Sequence, residues 1–397
     1  ATVGEPFEKL GREGVDDRQR KDGGGHNLHR GGTHGDIVSG MLDSGCNIAL
    51  VVIARNEERC IERCLRSAAP YVDDMLVLDT GSTDRTAEIA RQCGARVATF
   101  DWIDDFAAAR NAALDAVDAR WRLVLDADEW LEDTAAALRD LSRETARFVG
   151  AVNVISLLDA DANTGQPLQA SDWLSRVLPE GVRYSGRIHE TPVHSLPVRR
   201  LPVTVWHDGY LVNQRQHKQG RNLALLQRAL AEQPGDAYFR YQLAREQEQG
   251  GEPDAAVASY LEALRERPRI APPWRDAAVF NAIDFLGRAQ RFEEGIELIQ
   301  SELPHYAGAV DFWFVLGGFF FELVSARPAL ATEFMPRIEE CYLRCLELGE
   351  QPQANGALRG RGSFLAARNL YAFYTATGDA ERAETYRQLS IVPGSTP

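Results

Sequence analysis

The sequence has no apolar stretch long enough to cross a bilayer. Its longest greasy run, FWFVLGGFFFELV at 312–324, is broken by Glu322 and predicts a fully buried helix, because a span needs roughly 18 uninterrupted apolar residues. It also lacks an N-terminal apolar core of the kind that directs secretion, which predicts a cytoplasmic protein. Basic residues are in deficit: 44 Lys and Arg stand against 58 Asp and Glu, for a net charge of -14. That balance excludes a broad nucleic-acid or anionic-membrane surface, so an anionic ligand must be held locally. Cysteine is scarce, at six residues. Cys60/Cys64 and Cys341/Cys345 are spaced i, i+4 on predicted helices with no histidine nearby, which predicts buried reduced thiols rather than disulfides or a zinc site.

What is present divides the chain in three. Residues 1–45, with KDGGGHNLHRGGTHGD, are rich in Gly, Asp and Arg and too poor in apolar residues to offset the entropy of ordering. They predict a disordered Gly-rich tail or an added extension before Met41. Residues 46–215 alternate short apolar runs with helical patterns. IALVVIA (48–54), DMLVLD (74–79), ARVATF (95–100) and WRLVLD (121–126) predict strands, with helices over 57–69, 82–93 and 107–118 between them. Continuous apolar strands joined by helices predict an α/β fold with a mainly parallel, Rossmann-like sheet. Ligands of such sheets bind beyond the carboxyl ends of the strands.

Residues 216–397 predict only helices, and they repeat. Leu243, Ala244, Gly251, Ala256, Tyr260, Ala263 and Pro268 follow the small/large spacing of a tetratricopeptide repeat, whose period is about 34 residues. Trp313, Leu316, Gly317 and Phe320 restate its first helix, with Tyr342 and Cys345 on a displaced second one. Leu370, Tyr374, Gly378 and Ala383 give another copy, Asp284 to Ile299 a degenerate one, and 221–234 a lone helix that seals the stack. Stacked hairpins present a concave face, suited to an acceptor or to pairing two subunits as a homodimer.

The chemistry lies at strand ends. VIARNEE follows the first strand and VLDTGSTDRT the second; ARN precedes the fourth strand and LDADE ends it. Two carboxylates at i and i+2 after a strand either cap the next helix or hold a hard divalent cation together with ligand phosphates. In this order the motifs Asn56-Glu57-Glu58, Asp79-x-Gly81-Ser82-x-Asp84, Arg110-Asn111 and Asp126-Ala127-Asp128 resemble family 2 glycosyltransferases of the GT-A fold, over about 47–210. The segments RIHE and VWHDGY, with the tetratricopeptide tail, resemble the subgroup of core-lipopolysaccharide glucosyltransferases and peptide S-glycosyltransferases.

The resemblance implies a UDP-sugar donor bound by Ala54, Arg55, Glu57, Asp79, Arg110, Asn111, Asp126, Ala127 and Arg187. In that reading Asp79 accepts from the uracil imide, Asp126 contacts the ribose or supports the site, and Arg187, together with Arg176 outside the set, grips phosphate oxygens. Asp84 either contributes or simply caps its helix. Asp128 and His207 would ligate Mn2+ or Mg2+, imidazole beside carboxylate favouring Mn2+; alternatively His207 is satisfied by a backbone carbonyl. Glu190 stands where inverting members carry the general base, with His189 and Asp172 as rivals. Lys218, Arg221 and Asn222 either close over the diphosphate or dock the two domains. The implied reaction moves glucose or N-acetylglucosamine to a Cys or Ser/Thr of a peptide lying on the repeats. A saccharide or lipid-linked glycan is the alternative acceptor, and an inactive nucleotide-sugar-binding scaffold the rival from another class.

Overall fold

The computed structural model describes residues 47–160, 167–209, 219–269 and 271–391. The expectation for 1–45 and the boundary at 215 and 216 lie outside the described residues.

Three buried apolar runs and a partly exposed edge strand form the parallel half of the sheet: β1 (Ile48–Ala54), β2 (Asp74–Asp79) and β4 (Trp121–Asp126), with β3 (Arg96–Thr99) at the edge. They lie in the order β3-β2-β1-β4, all neighbours parallel. Helix α1 (Ile61–Ala68) covers one face with Ile61, Cys64, Leu65 and Ala68. α2 (Thr86–Gln92) follows β2, and α3 (Phe106–Asp115) covers the opposite face through Ala109, Ala113 and Leu114. The helix predicted over 82–93 starts only at Thr86, because Asp84 accepts the Thr86 N–H at 2.9 Å and the Glu58 N–H at 3.2 Å. Asp84 thus closes a turn before the helix, the local use of such a side chain.

Beyond β4 the sheet becomes mixed. β5 (Glu129–Leu131), β6 (Val149–Ala160), β7 (Pro167–Pro179) and β10 (Val198–His207) complete the order β3-β2-β1-β4-β7-β6-β10-β5, while β8 (Arg183–Ser185) and β9 (Thr191–Val193) form a separate hairpin. β7 runs antiparallel to β4 and β6, and β10 runs parallel to β6 and antiparallel to β5. This is the α/β arrangement that the GT-A resemblance implies, with the ends of β4 and β10 at one mouth.

The helical region opens with α4 (Gln219–Glu232) and continues as hairpins: α5 (Ala237–Gln249) with α6 (Pro253–Leu264), α7 (Trp274–Arg288) with α8 (Phe292–Tyr306), α9 (Val310–Ala326) with α10 (Ala331–Leu348), and α11 (Phe364–Thr377) with α12 (Ala380–Leu389). The small/large interlock read from the sequence is physical: a Cβ on Gly317 would lie 2.7 Å from the Tyr342 ring. Gly378, at φ +82°, closes α11 in the left-handed conformation that glycine adopts without strain. α9 departs from the expected fully buried helix, since Phe321 is 58% exposed; the last turns keep one wet face. A short strand within this region, β11 (Ala357–Leu358), adds antiparallel to β7 and ties the helices to the sheet. Cys60, Cys64, Cys341 and Cys345 are free and buried, as expected.

Candidate active site

The loops after β1 and β2 are stitched together before any ligand arrives. Ala54 C=O accepts from Thr80 N–H at 2.9 Å, Asn56 Oδ1 from Thr83 N–H at 2.8 Å, and Thr86 Oγ1 from Glu57 N–H at 2.7 Å. Asn56 carries φ +57°, a left-handed turn that Asn tolerates. Asp79 is buried and holds the N–H groups of Gly81 at 3.2 Å and Ser82 at 2.8 Å on a single oxygen, Oδ1. Arg55 is exposed beside this turn.

At the end of β4 two arginines grip three carboxylates. Arg110, on α3, donates from Nε to Glu190 and from Nη2 to Asp126, each at 2.5 Å. Arg176, on β7, donates from Nη2 to Asp126 at 2.9 Å and to Glu129 at 2.5 Å. The Asp126 N–H closes the turn on Glu129 at 2.9 Å. Burial alone would push the Asp126 carboxyl up, but Arg176 and Arg110 outweigh it and hold it well below the usual carboxylate range. Burial pushes Glu129 in the opposite direction, upward. Arg176 therefore meets carboxylates here rather than standing open for phosphate. Arg110 Nη1 is buried with no hydrogen-bond partner in the protein, an orphaned donor at the sheet's mouth.

Ala127 is buried, and beyond it Asp128 is 6% exposed and faces His207 across 3.6 Å, Oδ2 to Nε2. The other ring nitrogen, Nδ1, lies 3.3 Å from Ser156 Oγ, which helps to orient the ring. Burial opposes a charged imidazole, yet Asp128 prevails and raises the His207 pKa. A side chain on Gly209 would strike both Asp128 Oδ2 and His207 Nε2, so glycine keeps the space before the pair clear. Among the described residues no group of three or more His, Cys, Asp and Glu is gathered as metal ligands. One carboxylate and one imidazole around a cleared cradle fit a divalent cation that takes its other ligands from a diphosphate and water.

Sequence reading missed the device that holds this end of β10. Asp208 is clamped by Arg59 at 3.2 Å and Arg63 at 2.8 Å, and Arg63 lies 3.7 Å over the Trp130 ring. Trp130 in turn stacks on Trp206 with centroids 6.4 Å apart. The signal was present as two arginines at i, i+4 after NEE, and as the acid beside His207.

Two expected donor contacts go elsewhere. The Asn111 amide is occupied by the Tyr184 backbone, Nδ2 to O and N–H to Oδ1, both at 2.9 Å. Arg187 pairs with Glu232 of α4 at 3.1 Å and with Asp105 at 3.8 Å. Asn222 bonds Glu246 of α5 at 3.1 Å, a contact between helices; Lys218 and the Arg221 side chain lie outside the described residues. Asp172 accepts the Gly356 N–H at 2.7 Å beside β11. His189, at φ +51°, sets its ring edge-on to Tyr238 with Nε2 buried and without a partner. Burial, aided by Arg245, pushes its pKa down to about 4, so it is neutral at pH 7 and a weak base.

The model of the family Glycosyl transferase family 2 matches residues 49–161. A TPR repeat-containing protein of Synechococcus elongatus is 34% identical over 241 residues, 56% of this chain and 58% of its own length. The SPbeta prophage-derived glycosyltransferase SunS of Bacillus subtilis is 26% identical over 221 residues, 53% of this chain and 51% of its own length. The chain thus spans little more than half the length of these curated relatives. Glucosyl-3-phosphoglycerate synthase of Mycobacterium tuberculosis, solved with Mn2+, UDP and glucosyl-3-phosphoglycerate, aligns at 27% identity over 28% of this chain and 44% of that one, with a TM-score of 0.24. The family match runs from β1 into β6 and takes in both acidic strand ends, which makes residues 49–161 a family 2 glycosyltransferase domain, followed here by tetratricopeptide-like helices.

Proposed function

We propose that this chain is a metal-dependent, inverting glycosyltransferase that moves a hexose, glucose or N-acetylglucosamine, from a UDP-sugar to a Cys or Ser/Thr side chain of a peptide held by the helical repeats. The observation that carries the reading is the Glu190 carboxylate, 9% exposed and fixed on the arginine that also holds Asp126, at the mouth where Asp128 faces His207. In the transfer, the acceptor oxygen or sulfur attacks the anomeric carbon, and the bond from that carbon to the diphosphate breaks with its electron pair going to UDP. Glu190 takes the acceptor proton. Asp79 faces the base, Arg110 Nη1 donates to the donor's phosphate or ribose, and Asp128 with His207 hold Mn2+ or Mg2+. When bound, that cation supplies positive charge for the departing diphosphate. Stacked helical repeats present a concave face, which favours an extended polypeptide acceptor.

The test is a panel of UDP-sugars with Mn2+ or Mg2+ and candidate peptides, scored by UDP release and by peptide mass. Slow hydrolysis of one UDP-sugar, a hexose added to a peptide, and loss of both in Asp128→Ala support the reading. A wild type that binds UDP but neither hydrolyses nor transfers with any donor sinks it.

A further inference from the structure

We infer that the first helices of the repeat region, α4 and α5, form a wall of the active site: they set the backbone of 186–190 and thereby seat the Glu190 carboxylate on Arg110. The inference rests on the assignment of Glu190 as the base in the reading above.

The segment links the paired strands β8 and β9. Gly186 at φ +105° and His189 at φ +51° are both left-handed, two reversals within four residues and outside any regular element. Glycine adopts its turn freely, but the non-glycine His189 persists in that conformation only where its surroundings over-determine it. Here much of the apolar packing comes from helical-region side chains. Ile188 is 3% exposed and plugs a cluster made by Leu226 and Leu230 of α4 with Phe239 and Leu243 of α5. Phe239 also lies in van der Waals contact with the space beside Gly186, and Tyr238 meets the His189 ring.

The other half of the pair hangs from the same cluster. Phe106, the first residue of α3, packs on it and donates its N–H to the Arg187 carbonyl at 2.9 Å. Arg110 stands one turn further along α3, so both members of the Arg110–Glu190 contact are indexed to one apolar plug. The Arg187–Glu232 ion pair is 35% and 54% exposed and contributes little by itself; the burial of Ile188 dominates. Ile188 and Phe239 are therefore positioning residues for the base, although Phe239 lies outside the transferase domain.

The experiment uses the full chain, UDP-sugar with Mn2+, and steady-state hydrolysis beside equilibrium UDP binding. Ile188→Ala is expected to lower kcat by about tenfold to a hundredfold, as misplacement by about 1 Å does, with KM and UDP affinity within about twofold. Ile188→Val recovers most of the loss. In the Ile188→Ala background, adding Glu190→Gln costs far less than in the wild type, a non-additivity that a merely structural role does not produce. If Ile188→Ala does not fold, Phe239→Leu gives the same split. Folded variants with undiminished kcat, or with kcat and UDP binding falling together, overturn the inference alone. A wild type inert toward every UDP-sugar sinks the glycosyltransferase reading, and this inference with it.

Discussion

Arg110 holds Glu190 and Asp126 at once, through Nε and Nη2, and so joins the end of β4 to a residue 80 positions beyond the arginine itself. One guanidinium thus fixes the distance between the strand-end acid and the candidate base, a role its planar fork suits and an ammonium does not.

Removing that guanidinium leaves Glu190 buried without its cation. Arg110→Gln is expected to destabilise the protein by about 3 kcal/mol, the usual cost of stranding one member of a buried pair. Arg110→Lys falls between, keeping the charge but losing one of the two contacts. Urea unfolding midpoints measure both, and equal midpoints for the three proteins would refute the clamp.

Glu190→Gln keeps the shape of the side chain and removes the base. Transfer and hydrolysis drop by about 10²–10⁴, the range of general-base contributions, while UDP-sugar affinity holds within a few-fold. Undiminished turnover would remove Glu190 from the mechanism.

Gly209→Ala puts a methyl group against Asp128 and His207. Mn2+ affinity in the presence of UDP, read by calorimetry or electron paramagnetic resonance, is expected to fall by at least about tenfold, with about 1–3 kcal/mol of overpacking cost to stability. Asp208→Asn loosens the clamp from Arg59 and Arg63 and weakens Mn2+ binding without any new bulk. Unchanged Mn2+ binding in both variants rules out this cradle as the metal site.

His189 gives stability a pH dependence of definite sign. Its folded pKa, pushed by burial from 6.5 down to about 4, lies below the unfolded value, so the unfolded chain binds the proton first as pH falls. Its share of stability is full above about pH 6.5 and is lost progressively down to about pH 4. His189→Asn tolerates the left-handed backbone and cannot titrate there. The fall in unfolding midpoint from pH 7 to pH 4.5 should therefore be smaller in the variant; an equal fall would show that His189 is not buried neutral.

The sequence by itself determined the four parallel strands, the acidic ends of β2 and β4, the turn at Asp84 and the repeat spacing that Gly317 and Tyr342 realise. These are local properties: apolar period, turn chemistry and side-chain size act over a few residues, and adjacency in the chain reveals them. Tertiary structure alone decided where the long cations went. Arg187 reads as a phosphate ligand, yet it pairs with Glu232 of α4; Asn111 reads as a donor contact, yet β8 runs past and takes both ends of its amide. Arg59 and Arg63 meet Asp208 only because the end of β10 brings that acid between them. A flexible charged side chain has several partners within reach, and which one it meets depends on segments far apart in sequence that only the folded chain brings together.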